Sequence, residues 1–303
     1  MTATPASIRI GISGWRYAPW RGGAFYPQGL TQARELAYAS RQFRAIELNG
    51  SFYALQKPES YARWASETPD GFAFTVKAPR YITHILRLEK PELPIANFLA
   101  SGLFALGPKL GPILWQFPPS MAFDADRFEA FLALLPHDAD AAVRLARRHE
   151  PRMKGRALVV AGGVGAVRHA VEVRHASFAD AAFVRLLRRY KVAWVIADTG
   201  GRWPEFEDIT ADFAYLRLHG ADQLYATGYS DAQIDRWADR IRHWSQGGEP
   251  ADAKRIADLR PPRRAHRDVF CFFDNTMKTE APTNARRLAS LLGAAPTDNA
   301  GLF

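Results

Sequence analysis

Eight short apolar runs, each separated from the next by a helix-like or loop-like stretch, in a chain of 303 residues predict an α/β fold: a TIM (β/α)8 barrel. A third observation favours a closed barrel over an open doubly wound sheet: no glycine-rich phosphate fingerprint follows the first run. The sequence reads as one barrel domain over 1–303, with its core at about 8–293.

The runs are IRIGI (8–12), RAIELN (44–49), FAFTVKA (72–78), PILWQF (112–117), AVEVRH (170–175), VAWVIAD (192–198), FAYLRLH (213–219) and VFCFFDN (269–275). Each is rich in β-branched or aromatic residues and short enough to be a strand. LTQARELAYAS (30–40) follows the first, with Thr31 near its start and good helix formers behind. DADRFEAFLALL (124–135) opens with acids and places Phe128, Phe131, Leu132 and Leu135 on one face. SFADAAFVRLLRRY (177–190) begins with Ser177 as the cap and ends in basic residues; SDAQIDRWADRIRHW (230–244) repeats that logic. APTNARRLASLL (281–292) carries Pro282 in its first turn. The longest gap, 118–169, is expected to hold one helix and an irregular stretch.

A hydrophobic content of 48% supports a large core without staples. Cys271 is the only cysteine, so no internal disulfide forms, which suits a reducing, cytoplasmic setting. The opening MTATPAS lacks the basic start and apolar stretch of a signal peptide, and no run of about 18 apolar residues suggests a membrane span. The net charge of +9, from 40 Lys+Arg and 31 Asp+Glu, admits anionic partners without choosing among them. Two basic runs, 144–156 and 254–267, precede strands five and eight. Loops that enter strands lie at the bottom of a barrel, so both runs read as solvated surface, with a nucleic-acid-facing patch as the competing reading.

Polar residues fall at the strand ends. Glu47 and Asn49 share one face of the second strand, and Thr75 and Lys77 share one face of the third. Gln116 ends the fourth, Glu172 and Arg174 mark the fifth, and Asp198 ends the sixth. Arg217 and His219 share a face of the seventh, and Asp274 and Asn275 close the eighth. Their apolar neighbours would face the helices, turning the charged set into the C-terminal mouth, where active sites of this fold sit. Any single pair, such as Glu172 with Arg217, could be structural only. Charges in a barrel interior cost too much for the whole set to be accidental.

This inventory suits metal-free acid–base chemistry on a small polar or anionic molecule, sugar-like or phosphate-like, in a hydrolase, lyase or isomerase. Glu47 and Glu172 are the candidate acids or bases, Lys77 the electrostatic stabiliser and His219 the proton shuttle. Arg174 and Arg217 would clamp a carboxylate or phosphate. Trp15, Asn49, Tyr53, Gln116, Asp198, Tyr225 and Asn275 complete the substrate-binding set, the aromatics by stacking on a sugar or base. His175 shares parity with Val171 and Val173 and ranks below His219. No cofactor is expected. A divalent metal held by Glu172, Asp198, His219 and Asp274 is the alternative, with Lys77, Arg174 and Arg217 competing for the same carboxylates. No nucleophile elbow or Walker loop is present, and Cys271 reads as core. A nucleic-acid-binding or processing barrel and a non-catalytic ligand-binding barrel are the rival functions.

GISGWRYAPW (11–20), AIELNGSFY (45–53), FTVKAPRYITH (74–84), LWQFPP (114–119), AVEVRHASF (170–178), VIADT (195–199), YLRLHG (215–220) and CFFDNT (271–276) together resemble the domain of unknown function 72 family, also called YecE-like, over about 8–293. The resemblance implies a TIM barrel and no established reaction. Similar barrels include sugar isomerases and endonucleases for abasic DNA, an analogy of fold alone. The chain departs from the family pattern at Asp274-Asn275, where an Asn pair is usual, and at Ala221, where an Arg often follows the His-Gly pair.

Overall fold

The structure, a computed structural model, describes residues 7–220, 228–258, 260–261, 264–275 and 279–296. All eight expected strands form: β1 Ile8–Ser13, β2 Ala45–Leu48, β3 Ala73–Lys77, β4 Leu110–Gln116, β5 His169–Glu172, β6 Ala193–Asp198, β7 Phe213–Leu218 and β8 Asp268–Phe273. They are neighbours in chain order, and β8 pairs in parallel with β1 to close the barrel. Among the described residues the helices are α1 Glu35–Gln42, α2 Gly50–Tyr53, α3 Pro58–Ser66, α4 Glu92–Ala100, α5 Ala125–Leu134, α6 Ala139–Ala146, α7 Ala181–Arg189, α8 Asp231–Ser245 and α9 Glu280–Leu291. None is long and apolar enough to cross a membrane.

Helix starts follow their capping chemistry. Asp124 accepts the Arg127 amide at 3.0 Å and opens α5, whose Phe128, Phe131 and Leu132 are buried, as is Leu135 just beyond. Ser230 and Gln233 form a reciprocal capping box at α8. Two expectations are corrected. Asp180, not Ser177, caps α7, accepting the Ala182 amide at 2.7 Å. Ser177 lies in a 3-10 turn that carries the chain off β5, so the regular helix begins later. The gap 118–169 holds a second helix, α6, capped by Asp138. Its buried face is only Ala142, Val143 and Ala146, too small an apolar stripe to stand out in a basic stretch.

By their contacts the residues fall into two compact units, Met1–Ile46 with Ala193–Phe303, and Glu47–Val192. In the first, Arg9 lies over Phe270 at 5.4 Å, and Tyr215 packs on Phe272 at 5.4 Å between centroids. Gly11 sits beside them, where a Cβ would lie 2.0 Å from the Ala45 carbonyl oxygen. Toward the strand C-termini this layer gives way to Ser13, Arg217 and Asp274.

In the second unit, Trp115 of β4 packs against Phe98 of α4 and Phe131 of α5, which turns its neighbour Gln116 to the opposite face. His169 shares the outer layer: it accepts Trp115 Nε1–H at 3.1 Å and bonds the Pro136 carbonyl at 2.7 Å. Burial pushes its pKa down to about 3. In β8, burial likewise pushes the Cys271 thiol well up, as befits a core residue.

The described basic side chains of both runs are mostly exposed, as expected of a solvated surface, with Arg267 the buried exception. α6 packs against α4, and Arg148 pairs with Glu92 there. Arg152 then reaches a cavity with residues that follow β2 and β3, which corrects its expected place at the barrel bottom. Near β8, Arg267 is buried and donates to the carbonyls of Trp244 and Gly248 at 3.1 and 3.3 Å.

Candidate functional site

The strand ends of the second unit build one charged cluster. Gln116 and Glu172 are in register on β4 and β5, and Gln116 Nε2 donates to Glu172 Oε1 at 2.8 Å. Arg174 Nε donates to the same oxygen at 2.8 Å. Glu172 is 1% exposed, so this pair is desolvated, whereas Arg174 keeps some contact with water. Two donors on one oxygen fix the carboxylate in place. Lys77, at the end of β3, is 8% exposed and holds its ammonium 4.1 Å from the centroid of the Phe52 ring. Ser51 Oγ donates to the Lys77 carbonyl at 2.7 Å and ties α2 to β3. Glu47 is fully buried in β2, and Asn49 stands at the N-cap of α2.

A residue outside the predicted set joins this cluster. His84 packs edge-on against Phe52, with centroids 5.1 Å apart, and its Nδ1 is 2.8 Å from Thr83 Oγ1. Burial, then the positive charges of Lys77, Arg174 and Arg80, push its pKa down to about 4, against a smaller opposing pull from Glu172. His84 is therefore a neutral imidazole near pH 7. Its backbone is irregular: Tyr81–Ile85 is a π-helical turn, and Arg87, Leu88 and Lys90 follow at φ of 49°, 66° and 44°. Such wide turns and left-handed non-glycine residues concentrate at functional sites, because regular packing alone would not retain them. A search restricted to titratable residues at strand ends passes over His84. The available signal was its place in the βα segment directly after Lys77.

The first unit holds its own cluster. Arg217 is fully buried; Nη2 donates to Asp274 Oδ2 at 2.8 Å and lies 3.4 Å from Ser13 Oγ. His219 places Nε2 3.4 Å from Arg217 Nη1, and Nδ1 3.1 Å from Asp274 Oδ2. Asn275 donates to Asn284 Oδ1 at 3.1 Å, and Asn284 also accepts the Tyr229 amide at 3.2 Å. The Tyr229 hydroxyl accepts the Gly220 amide at 3.1 Å; burial first, and then the Asp198 carboxylate, push its pKa well up. Asp198 itself ends β6 half-buried, accepting the Gly200 amide at 3.2 Å.

The structure thus gives the predicted residues polar partners of its own choosing. Glu172 takes Arg174 and Gln116, and Arg217 takes Asp274. Among the described residues no three His, Cys, Asp or Glu side chains gather as a metal requires. The Asp274 carboxylate already faces a guanidinium and an imidazole. His175 turns to Ser177, whose amide its Nδ1 accepts at 3.2 Å, as its parity suggested. Trp15 is buried, and its carbonyl accepts the Tyr26 hydroxyl at 2.5 Å. Tyr53 is 72% exposed, and Tyr225 lies outside the described residues.

The sequence model of the family described as "Protein of unknown function DUF72" matches residues 9–301. The UPF0759 protein YunF of Bacillus subtilis is 24% identical over 94% of this chain and 94% of its own length. The UPF0759 protein YecE of Escherichia coli is 33% identical over 37% of this chain and 38% of its length. Among solved structures, a DUF72 family protein from Thermotoga maritima superposes with a TM-score of 0.67 at 23% identity, covering 95% of this chain and 99% of that one. One from Enterococcus faecalis gives 0.66 at 15%, covering 94% and 95%. These two likenesses concern the fold.

Proposed function

The chain belongs to the DUF72 family, and on that premise we propose that it is an enzyme of acid–base chemistry whose substrate is a small anionic molecule bound at the C-terminal ends of β3 and β5. The observation that carries this reading is the gathering of Lys77 and His84 on one phenyl ring, with the charges of Arg174 and Glu172 felt at the same imidazole. A plug of structural ion pairs needs no neutral histidine among its charges.

The roles follow from the environments. Lys77 and the terminal nitrogens of Arg174 attract an anion, phosphate-like or carboxylate. Binding an anion cancels the positive field that depresses His84, so the imidazole becomes a stronger base when substrate is present. In the tautomer whose Nδ1–H donates to Thr83, Nε2 is the atom that takes the proton. Glu172, fixed by Gln116 and Arg174, is the second acid–base group, and Glu47 on β2 remains a candidate for the same work.

Isothermal titration with inorganic phosphate and ribose 5-phosphate tests the reading. Binding at millimolar concentration or tighter, weakened at least tenfold in Lys77→Met and Arg174→Met, is expected. No heat from either probe with the wild-type protein removes the anionic-substrate reading. Conversion of a compound in a metabolite mixture, followed by mass spectrometry and lost in Glu172→Gln, tests the chemistry.

A further inference from the structure

Beside the Phe52 ring lies a cavity of about 320 Å3, lined by Phe52, Tyr53, Pro79, Tyr81, Ile82 and Arg152 together with flanking residues of α2 and α4. Its volume is at the small end of ligand pockets, which run from about 300 to 1,000 Å3. Tyr53 and Tyr81 at this cavity are 72% and 50% exposed, an unusual state for two large rings on one rim. Its polar element is held in place. Arg152 Nε bonds Glu150 Oε2 at 2.7 Å, and Asn97 bonds the same Glu150 through both side chain and backbone.

We infer that this cavity is the subsite for an aromatic or heteroaromatic ring carried by the anionic substrate. The inference rests on the acid–base reading above and adds the substrate's other end. Phe52 belongs to both places: it lines the cavity, and Lys77 Nζ stands 4.1 Å from its centroid. A ring in the cavity and an anion on Lys77 would therefore both lie beside Phe52. Proline, isoleucine and tyrosine walls suit a flat apolar body, and tyrosine rings add edge-to-face or offset contacts. Arg152 presents a guanidinium to the ring face or to a polar substituent on it.

Binding of 2-phenylethyl phosphate and of ethyl phosphate, a pair differing only in the ring, tests this. The ring is expected to tighten binding at least tenfold in the wild-type protein. Tyr81→Ala should remove that gain; Tyr81 is half-exposed, so the fold does not depend on it. Equal affinities for the two phosphates, or a gain that survives both Tyr81→Ala and Tyr53→Ala, overturns the subsite and leaves the anion site standing. If neither phosphate binds, the acid–base reading falls; the neutral phenyl β-glucoside then decides the cavity alone. Its binding, lost in Tyr81→Ala, upholds the ring subsite, and its failure to bind overturns it.

Discussion

Arg174 Nε and Gln116 Nε2 converge on one oxygen of Glu172, each at 2.8 Å, but the two charged partners are not equally buried: Glu172 is 1% exposed and Arg174 13% at its side chain. Removing the arginine strands a carboxylate away from water, whereas neutralising the glutamate leaves a guanidinium that still reaches solvent. Arg174→Met should therefore destabilise the protein by about 3 kcal/mol and Glu172→Gln by about 1 kcal/mol. Urea denaturation of the two variants at pH 7 measures the difference, and the reverse order would contradict the burial argument.

The His84 ring should titrate with a midpoint near 4 in a proton NMR titration, well below the usual 6.5. Burial is the largest cause, so Lys77→Met raises the midpoint without restoring it fully. Saturating phosphate should also raise it, because the anion offsets the same charges. The linkage sign is fixed: a histidine with a depressed folded pKa is protonated first in the unfolded chain. Stability therefore falls as pH drops from about 6.5 toward 4.

His169 offers a contrast, because its imidazole is structural. Its ring joins Trp115 and the Pro136 carbonyl, so His169→Leu leaves a buried donor and a buried acceptor without their partner. The expected loss is about 3 kcal/mol at pH 7. Its folded pKa of about 3 makes it a second source of acid sensitivity, acting from about 6.5 downward. The variant should be less stable at neutral pH and show a flatter stability profile on acidification, measured by urea midpoints between pH 4 and 7.

Gly11→Ala should destabilise by about 3 kcal/mol, visible as a lower urea midpoint or lost soluble yield. The added methyl meets a backbone oxygen, Ala45 O, which cannot swing aside as a side-chain tip would.

Strand existence was the most legible property, because a barrel strand is a short dense apolar run whose alternate residues must differ. Trp115 beside Gln116, and Leu216 and Leu218 around Arg217, show that parity also told which side chains would be polar neighbours. Pairing was less legible. Glu172 with Arg217 was a reasonable pair by charge, yet register brings Gln116 to Glu172, and the backbone brings Arg174 two residues on. Irregular backbone was least legible. The late start of α7, the short helix α6 and the π-turn carrying His84 depend on how the chain leaves a strand, and apolar periodicity is silent about that.

The Tyr81–Ile85 turn has one more consequence, for protein engineering. Removing one residue would let it close as an ordinary helical turn, in which each position rotates the chain by about 100°. The backbone would become more regular, and the imidazole would leave the Phe52 ring. Designers who stabilise a scaffold by smoothing its irregular segments would reach first for this one, and would gain a sturdier barrel at the expense of its most unusual histidine.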